Sequence, residues 1–309
     1  MMKRSLVALG LLFLTSVGVS AQQASDSVAP ERATGLAAAK VVTAKAHLVA
    51  AAHPLAAEAG EKVLVDGGSA IDAMIAVQTV LGLVEPQSSG LGGGAFLVYY
   101  DAGTGRLTTL DGRETAPMEA TPWLFLDEKG EPLKFFDAVV GGRSVGTPGT
   151  VMLMQEAHNR WGRKPWKDLF VPAETLARDG FSVSPRLAGL IATEGDRLKT
   201  FETTAAYFFG ADGAPLKAGR ILKNLAYAET LSAIAGGGAP AFYTGTIAQG
   251  IVDTVRSSGK NAGVLSLADL QHYQVKERRP VCTSYRALDV CGMGPPSSGA
   301  VAIGQMLGM

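Results

Sequence analysis

Cysteine is nearly absent. The 309 residues contain two, Cys282 and Cys291, so a multi-disulfide scaffold is excluded. The four histidines, His47, His53, His158 and His272, include no two at metal-ligand spacing on a helix, and no further cysteine could complete a zinc set. No metal and no other cofactor is expected. Net charge is missing too: 28 basic residues offset 28 acidic ones, which leaves no field to draw in nucleic acid or an anionic membrane surface. Repeats, heptads and low-complexity segments are also lacking. What the chain does have is glycine, 38 residues set among 47% hydrophobic ones, a composition that favours tightly packed elements over disorder.

The first residues read as an export signal rather than as fold. Met1-Met2-Lys3-Arg4 is basic, Leu6 to Val19 is apolar, and Val19-Ser20-Ala21 supplies the small-x-small cleavage pattern. The apolar run is shorter than the roughly 20 residues that span a bilayer, so no stable membrane anchor is expected. Residues 1–21 are assigned to a secretory signal peptide, 22–39 to a polar, flexible leader, and 40–309 to the folded part. The expected location is periplasmic or extracellular. An oxidising compartment would allow Cys282 and Cys291, in strand-like runs around a turn near Ser284 to Ala287, to join. Two buried thiols remain the alternative.

Local signals place the elements. A short strand is expected over "TAKAHLVAAAHP", then a helix from Pro54 to Val65, stopped by Asp66-Gly67-Gly68. Ser69 and Asp72 form a capping box that opens a second helix, apolar on nearly every face, running to about Val84. "AFLVYY", the turn "DAGTG" and "RLTTLDGRE" make a hairpin. Helices are expected near 148–160, 165–178, 185–199, 224–235 and 244–258, with Thr147, Ser184, Asn224 and Ser266 as N-caps, and an extended pair near 274–291.

Two glycine motifs invite functional readings. Gly90-Leu91-Gly92-Gly93-Gly94-Ala95 matches G-x-G-x-x-A. A dinucleotide fingerprint, however, follows a strand and opens a helix, whereas here the loop follows a helix and precedes a strand. The loop is therefore a tight passage rather than a phosphate cradle. Gly142-Arg143-Ser144-Val145-Gly146 fits the G-x-S-x-G nucleophile elbow, with Asp253 or Asp269 and then His272 following in order. The elbow needs a helix to start at its serine. Thr147-Pro148 reads as N-cap and first helical residue, which puts that start beyond Ser144 and makes the segment a structural turn.

Taken together, "HPLAAEAGEKVLVDGGSAIDAMIAVQTVLGLVEPQSSGLGGGAFLVYY", "LDGRETAP", "SVGTPGTV", "SPRLA", "AFYTGTIAQGIV", "LADLQHYQVKERRPV" and "GPPSSG" occur in an order and spacing that closely resembles the γ-glutamyltransferase (γ-glutamyl transpeptidase) family, over about residues 40 to 307. The resemblance implies an α+β fold, the four-layer αββα sandwich of N-terminal-nucleophile hydrolases. It also implies an exported precursor that cuts itself into two subunits. The new N-terminal threonine of the small subunit would attack the γ-glutamyl amide of glutathione and similar compounds. The glutamyl group would then pass to water, or to amino-acid or dipeptide acceptors.

For the site, the resemblance implies that Arg113, in Asp111-Gly112-Arg113-Glu114-Thr115-Ala116-Pro117, grips the substrate α-carboxylate. Read from its neighbours alone, Arg113 would sooner pair with Asp111 or Glu114. Ser88, Ser89 and Gly92 are weaker candidates for substrate contact. The family's nucleophile opens a T-T-H-like motif beyond the P-P-S-S-G turn. Here Thr108-Thr109 and Thr203-Thr204 precede no histidine. The expectation is an incomplete sandwich with an uncovered sheet edge. The threonine and oxyanion donors would lie in a missing small subunit, leaving this chain alone inactive. A sister acylase on the same scaffold and a non-catalytic remnant or binding module are the competing readings.

Overall fold

The computed structural model describes residues 41–309; the signal and leader fall outside them. Residues 41–52 form no strand, contrary to expectation, because no other segment among the described residues offers them a ladder. Regular structure begins with α1 (Pro54–Val65), whose N-cap is His53. α2 (Ala70–Val84) follows with its capping box intact: Asp72 N–H donates to Ser69 Oγ at 3.1 Å, and Ser69 N–H to Asp72 Oδ2 at 2.7 Å. Asp72 is fully buried and also accepts the backbone N–H groups of Arg163 and Lys164 at 3.0 and 3.2 Å. One carboxylate thereby ties a helix start to a turn some 90 residues away.

The expected hairpin is β1 (Ala95–Asp101) and β2 (Arg106–Gly112), paired antiparallel from Ala95–Gly112 to Asp101–Arg106. After α3 (Phe135–Val139) comes α4 (Thr150–Trp161), then a 3-10 turn and α5 (Val171–Asp179). Thr147 does not cap α4. Gly149 takes that place, and Thr147 instead bridges to Thr115 across the chain. β3 (Phe181–Ser182) pairs later with β4 (Ile221–Leu222). Between them lie α6 (Pro185–Thr193), α7 (Gly195–Leu198) and α8 (Glu202–Phe208). Then follow α9 (Leu225–Gly237), α10 (Pro240–Tyr243), α11 (Gly245–Arg256) and α12 (Leu267–Gln271). Ser184, Asn224 and Ser266 cap α6, α9 and α12 as anticipated.

β5 (Lys276–Arg278) adds to β2, so β2 is the central strand of a three-stranded sheet. β6 (Val281–Tyr285) and β7 (Leu288–Gly292) form a separate ladder, and α13 (Gly299–Leu307) follows the P-P-S-S-G turn. The β6–β7 turn sets Cys282 opposite Cys291, with Cα atoms 4.1 Å apart, and the two are joined. Register thus decides the disulfide question that composition left open.

The core lies around α2, which packs against α1, α4 and α5 and buries Ile71, Ile75, Val80 and Leu83. An all-round apolar helix requires such neighbours, since any exposed face would leave apolar area in water. α4 seats the sheet: Leu153 presses on Gly112, and Trp161 stacks on Tyr99 at 4.4 Å. The end of β2 is fixed from a third direction by two stacked tyrosines, Tyr243 and Tyr273. Tyr243 Oη donates to Pro148 O and Tyr273 Oη to Arg113 O, both at 2.8 Å. Among the described residues no helix is long and apolar enough to cross a membrane.

Gly149 has no room for a side chain. A Cβ there would lie 2.0 Å from Gly112 O and 2.1 Å from Tyr273 Oη. Gly149→Ala is expected to cost about 3 kcal/mol, the upper range for overpacking. Gly67→Ala, at φ +84° with nothing within 4 Å, should cost only about 1 kcal/mol of backbone strain. Urea midpoints at constant m would check this, and equal losses would contradict the packing. A pH effect follows at α1. His53 Nδ1 accepts the Leu55 N–H, and burial holds its pKa below the ordinary 6.5, against an opposing pull from Glu85. The unfolded chain therefore takes up the proton first as pH falls. Stability should decline as pH drops below about 6.5 and level off beneath the folded-state pKa. His53→Asn, which still caps but does not titrate, should remove that slope in pH-dependent melting curves.

Candidate functional site

The Glu85–Gly94 passage from α2 to β1 is anchored at its start. Glu85, nearly fully buried, binds Arg186 at 2.6 Å, and its carbonyl accepts the N–H groups of Ser88 and Ser89. Gln78 holds Ser89 Oγ at 2.7 Å. The glycines then divide into two kinds. Gly94 backs directly onto the site strand: a Cβ would meet Glu114 N at 2.7 Å and Arg113 Cα at 2.8 Å. Gly93 O accepts the N–H groups of Gly149 and Thr150 at 2.9 and 3.2 Å. Gly90 and Gly92, by contrast, face open space and line cavities. The loop is thus tight packing on one side and a cavity wall on the other.

Arg113 directly follows β2. Its N–H donates to Asp111 Oδ1 at 2.9 Å, and Tyr273 holds its carbonyl. Burial, assisted by the negative charge of Asp111 and Glu114, pushes the Tyr273 phenol far up, so it remains a donor. Asp111 does not pair with the Arg113 guanidinium; its Oδ2 is taken by Arg278 Nε at 2.7 Å. The remaining local partner, Glu114, is 3.8 Å from Arg113 Nε, and the Arg113 side chain is 54% exposed. Backbone and guanidinium are therefore treated differently: the first is fixed on two sides, the second is held by one long contact.

That guanidinium borders a cavity of about 480 Å³ whose walls include Gly92, Glu114, Leu124, Phe125, Arg143 and Ser144. A second cavity of about 440 Å³, lined by Ser88, Ser89, Gly90, Gly92 and Glu114, adjoins it through the shared Gly92 and Glu114. The weaker candidates Ser88, Ser89 and Gly92 lie along these walls. Sequence reading missed Tyr273, which carries no local signal, and Arg143, which was visible only as a letter inside a suspected elbow.

The elbow itself is a turn, as expected, though for a different reason than a cap at Thr147. No helix starts at Ser144, whose Oγ donates to Val139 O at 2.8 Å. Gly141 and Gly142 instead wedge against the 255–263 segment, where a Cβ would lie 2.0 Å from Lys260 O and 2.1 Å from Val255 O. Asp269 is occupied by Ser266 and by the Met118 N–H at 2.7 Å, and His272 Nδ1–H by Ala268 O at 2.7 Å. No serine triad is assembled from them. Among the described residues no group of three or more His, Cys, Asp or Glu side chains is arranged to hold a metal ion.

Comparison with known proteins bears on this arrangement. The family model for gamma-glutamyltranspeptidase matches residues 56–309. The glutathione hydrolase proenzyme of Bacillus subtilis (strain 168) is 40% identical over 268 residues, which cover 87% of this chain and 45% of that protein. An acylase ACY 1 proenzyme from Pseudomonas sp. (strain V22) is 35% identical, covering 87% and 48%. The crystal structure of Helicobacter pylori gamma-glutamyltranspeptidase superposes with a TM-score of 0.82 at 35% identity, over 87% of this chain and 75% of that one. The chain spans a little under half the length of these curated relatives. The α+β fold expected of an N-terminal-nucleophile hydrolase is borne out by the structural match. With the motif order, the site loop and the superposition in agreement, this chain belongs to the γ-glutamyltranspeptidase family.

Proposed function

We infer that residues 40–309 are the substrate-gripping part of an exported γ-glutamyltransferase that also acts as a glutathione hydrolase, with residues 1–21 its signal peptide and 22–39 a leader. The observation that carries the reading is the Arg113 guanidinium, on a rigid backbone at a cavity wall and engaged only by the 3.8 Å contact to Glu114. Guanidinium presents a planar pair of donors matched to a carboxylate, and a γ-glutamyl group supplies one at its α-carbon. Because the backbone is fixed beforehand, only the side chain has to be ordered when the carboxylate arrives.

The attacking threonine belongs to a complementary small subunit. Its hydroxyl oxygen bonds to the γ-carbonyl carbon while its own α-amine takes the hydroxyl proton. The amide C–N bond then breaks, and the proton passes to the leaving amine. Water, an amino acid or a dipeptide afterwards attacks the ester and releases the glutamyl group. Arg113 takes no part in these proton transfers; it holds the carboxylate so that the γ-carbonyl stands in line with the hydroxyl. A sister acylase whose acyl group lacks an α-carboxylate would have no use for that fork, which disfavours the acylase reading.

The test is co-production of this chain with a partner beginning at the expected threonine, followed by chromophore release from a γ-glutamyl anilide. Activity should need the partner. Arg113→Ala should lower kcat/KM by an amount equivalent to about 2–5 kcal/mol, as for one lost member of a desolvated charge pair. Unchanged kcat/KM in that variant would refute the carboxylate assignment.

A further inference from the structure

Arg143 is the second cation on the wall of the Arg113 cavity. Its backbone is as constrained as that of Arg113. Gly141 and Gly142 are wedged against the 255–263 segment, and Arg143 N–H donates to Asn261 O at 2.7 Å. Its half-buried side chain makes one hydrogen bond, from Nη1 to Leu124 O at 3.3 Å, and forms no ion pair among the described residues. A guanidinium offers five N–H donors, so most of this one's capacity is unspent. A cation left unpaired in a cavity that a ligand then fills loses hydration without return unless the ligand supplies an anion.

The charges on the cavity wall can be matched against a substrate. Arg113 and Arg143 are cationic and Glu114 is anionic. The α-carbon of a γ-glutamyl group carries one carboxylate and one ammonium, which suit Arg113 and Glu114. Arg143 is then left over, and a cavity of about 480 Å³ has room beyond the glutamyl head, being within the roughly 300–1,000 Å³ usual for small-molecule sites.

We propose that Arg143 binds a second carboxylate, on the part of the γ-glutamyl compound beyond the scissile amide, and so selects substrates whose leaving group is an amino acid or peptide with a free C-terminus. This rests on the reading of Arg113 as the α-carboxylate grip. The step involves binding alone, and the chemistry of acyl transfer is unaltered.

The experiment compares three donors that share the γ-glutamyl group: glutathione, glutathione amidated at its C-terminal carboxyl, and a γ-glutamyl anilide. KM is measured for each with the co-produced enzyme and with Arg143→Gln and Arg143→Lys. In the unaltered enzyme the amidated donor should show a KM about tenfold above that of glutathione, the usual worth of a charge-assisted hydrogen bond. In Arg143→Gln that ratio should fall to near one, and in Arg143→Lys part of it should return. A ratio near one in the unaltered enzyme, showing that the C-terminal carboxylate is not read, or one that survives Arg143→Gln, showing that another group reads it, overturns the proposal. If the anilide is still turned over in an Arg113-dependent way, only the Arg143 assignment has failed. If none of the three donors is turned over, the γ-glutamyl reading fails and this one falls with it.

Discussion

Three stretches of backbone meet where the site is built, and there is no space among them for a single side-chain carbon. Gly94 lies on the Arg113–Glu114 peptide, Gly149 lies on Gly112, and Gly93 O receives the first N–H groups of α4. Interiors are packed to crystal-like density, so removing side chains at a crossing is the way to bring main chains together. The result is that the loop after α2, the end of β2 and the start of α4 share one position. Arg113 inherits its rigidity from that crossing, and the cavity inherits its wall.

The tyrosine pair extends the same constraint. Tyr273 and Tyr243 are stacked, and each spends its hydroxyl on a carbonyl of a different site segment, Arg113 and Pro148. Both phenols are pushed far up by burial, so both hydroxyls stay protonated as donors at neutral pH. The α12 region thus supports the candidate site without lining the cavity beside Arg113.

Much of this was readable because its causes are local. Pro54, Ser69 and Asp72 set the ends of α1 and α2 through neighbours within four residues, and the hairpin announces itself through Asp101 to Gly105. Where sequence reading went astray, the deciding partner was distant. The alternation before Pro54 suits a strand, but a strand is a property of a pair, and residues 41–52 have none. Thr147-Pro148 has the chemistry of a helix start, yet Thr115, more than 30 residues earlier, claims Thr147 for a bridge. Arg143 was overlooked for the same reason: only the wedge of Gly141 and Gly142 against residues 255–263 decides which wall it joins. Family resemblance, rather than spacing, singled out Arg113. Of the two local partners that its neighbours suggested, geometry removes Asp111, which answers to Arg278, and leaves Glu114 as a single contact at 3.8 Å.

The shared carboxylate of Asp72 has an effect on motion as well as on architecture. Because it serves the first turn of α2 and the Arg163–Lys164 bend together, fraying of either strands the same buried anion without enough donors. Two elements remote in sequence are thereby made to open as a single cooperative unit. Amide protons in both places should consequently exchange with solvent at matched rates, slow ones, set by the disruption of the inner helix rather than by either surface segment.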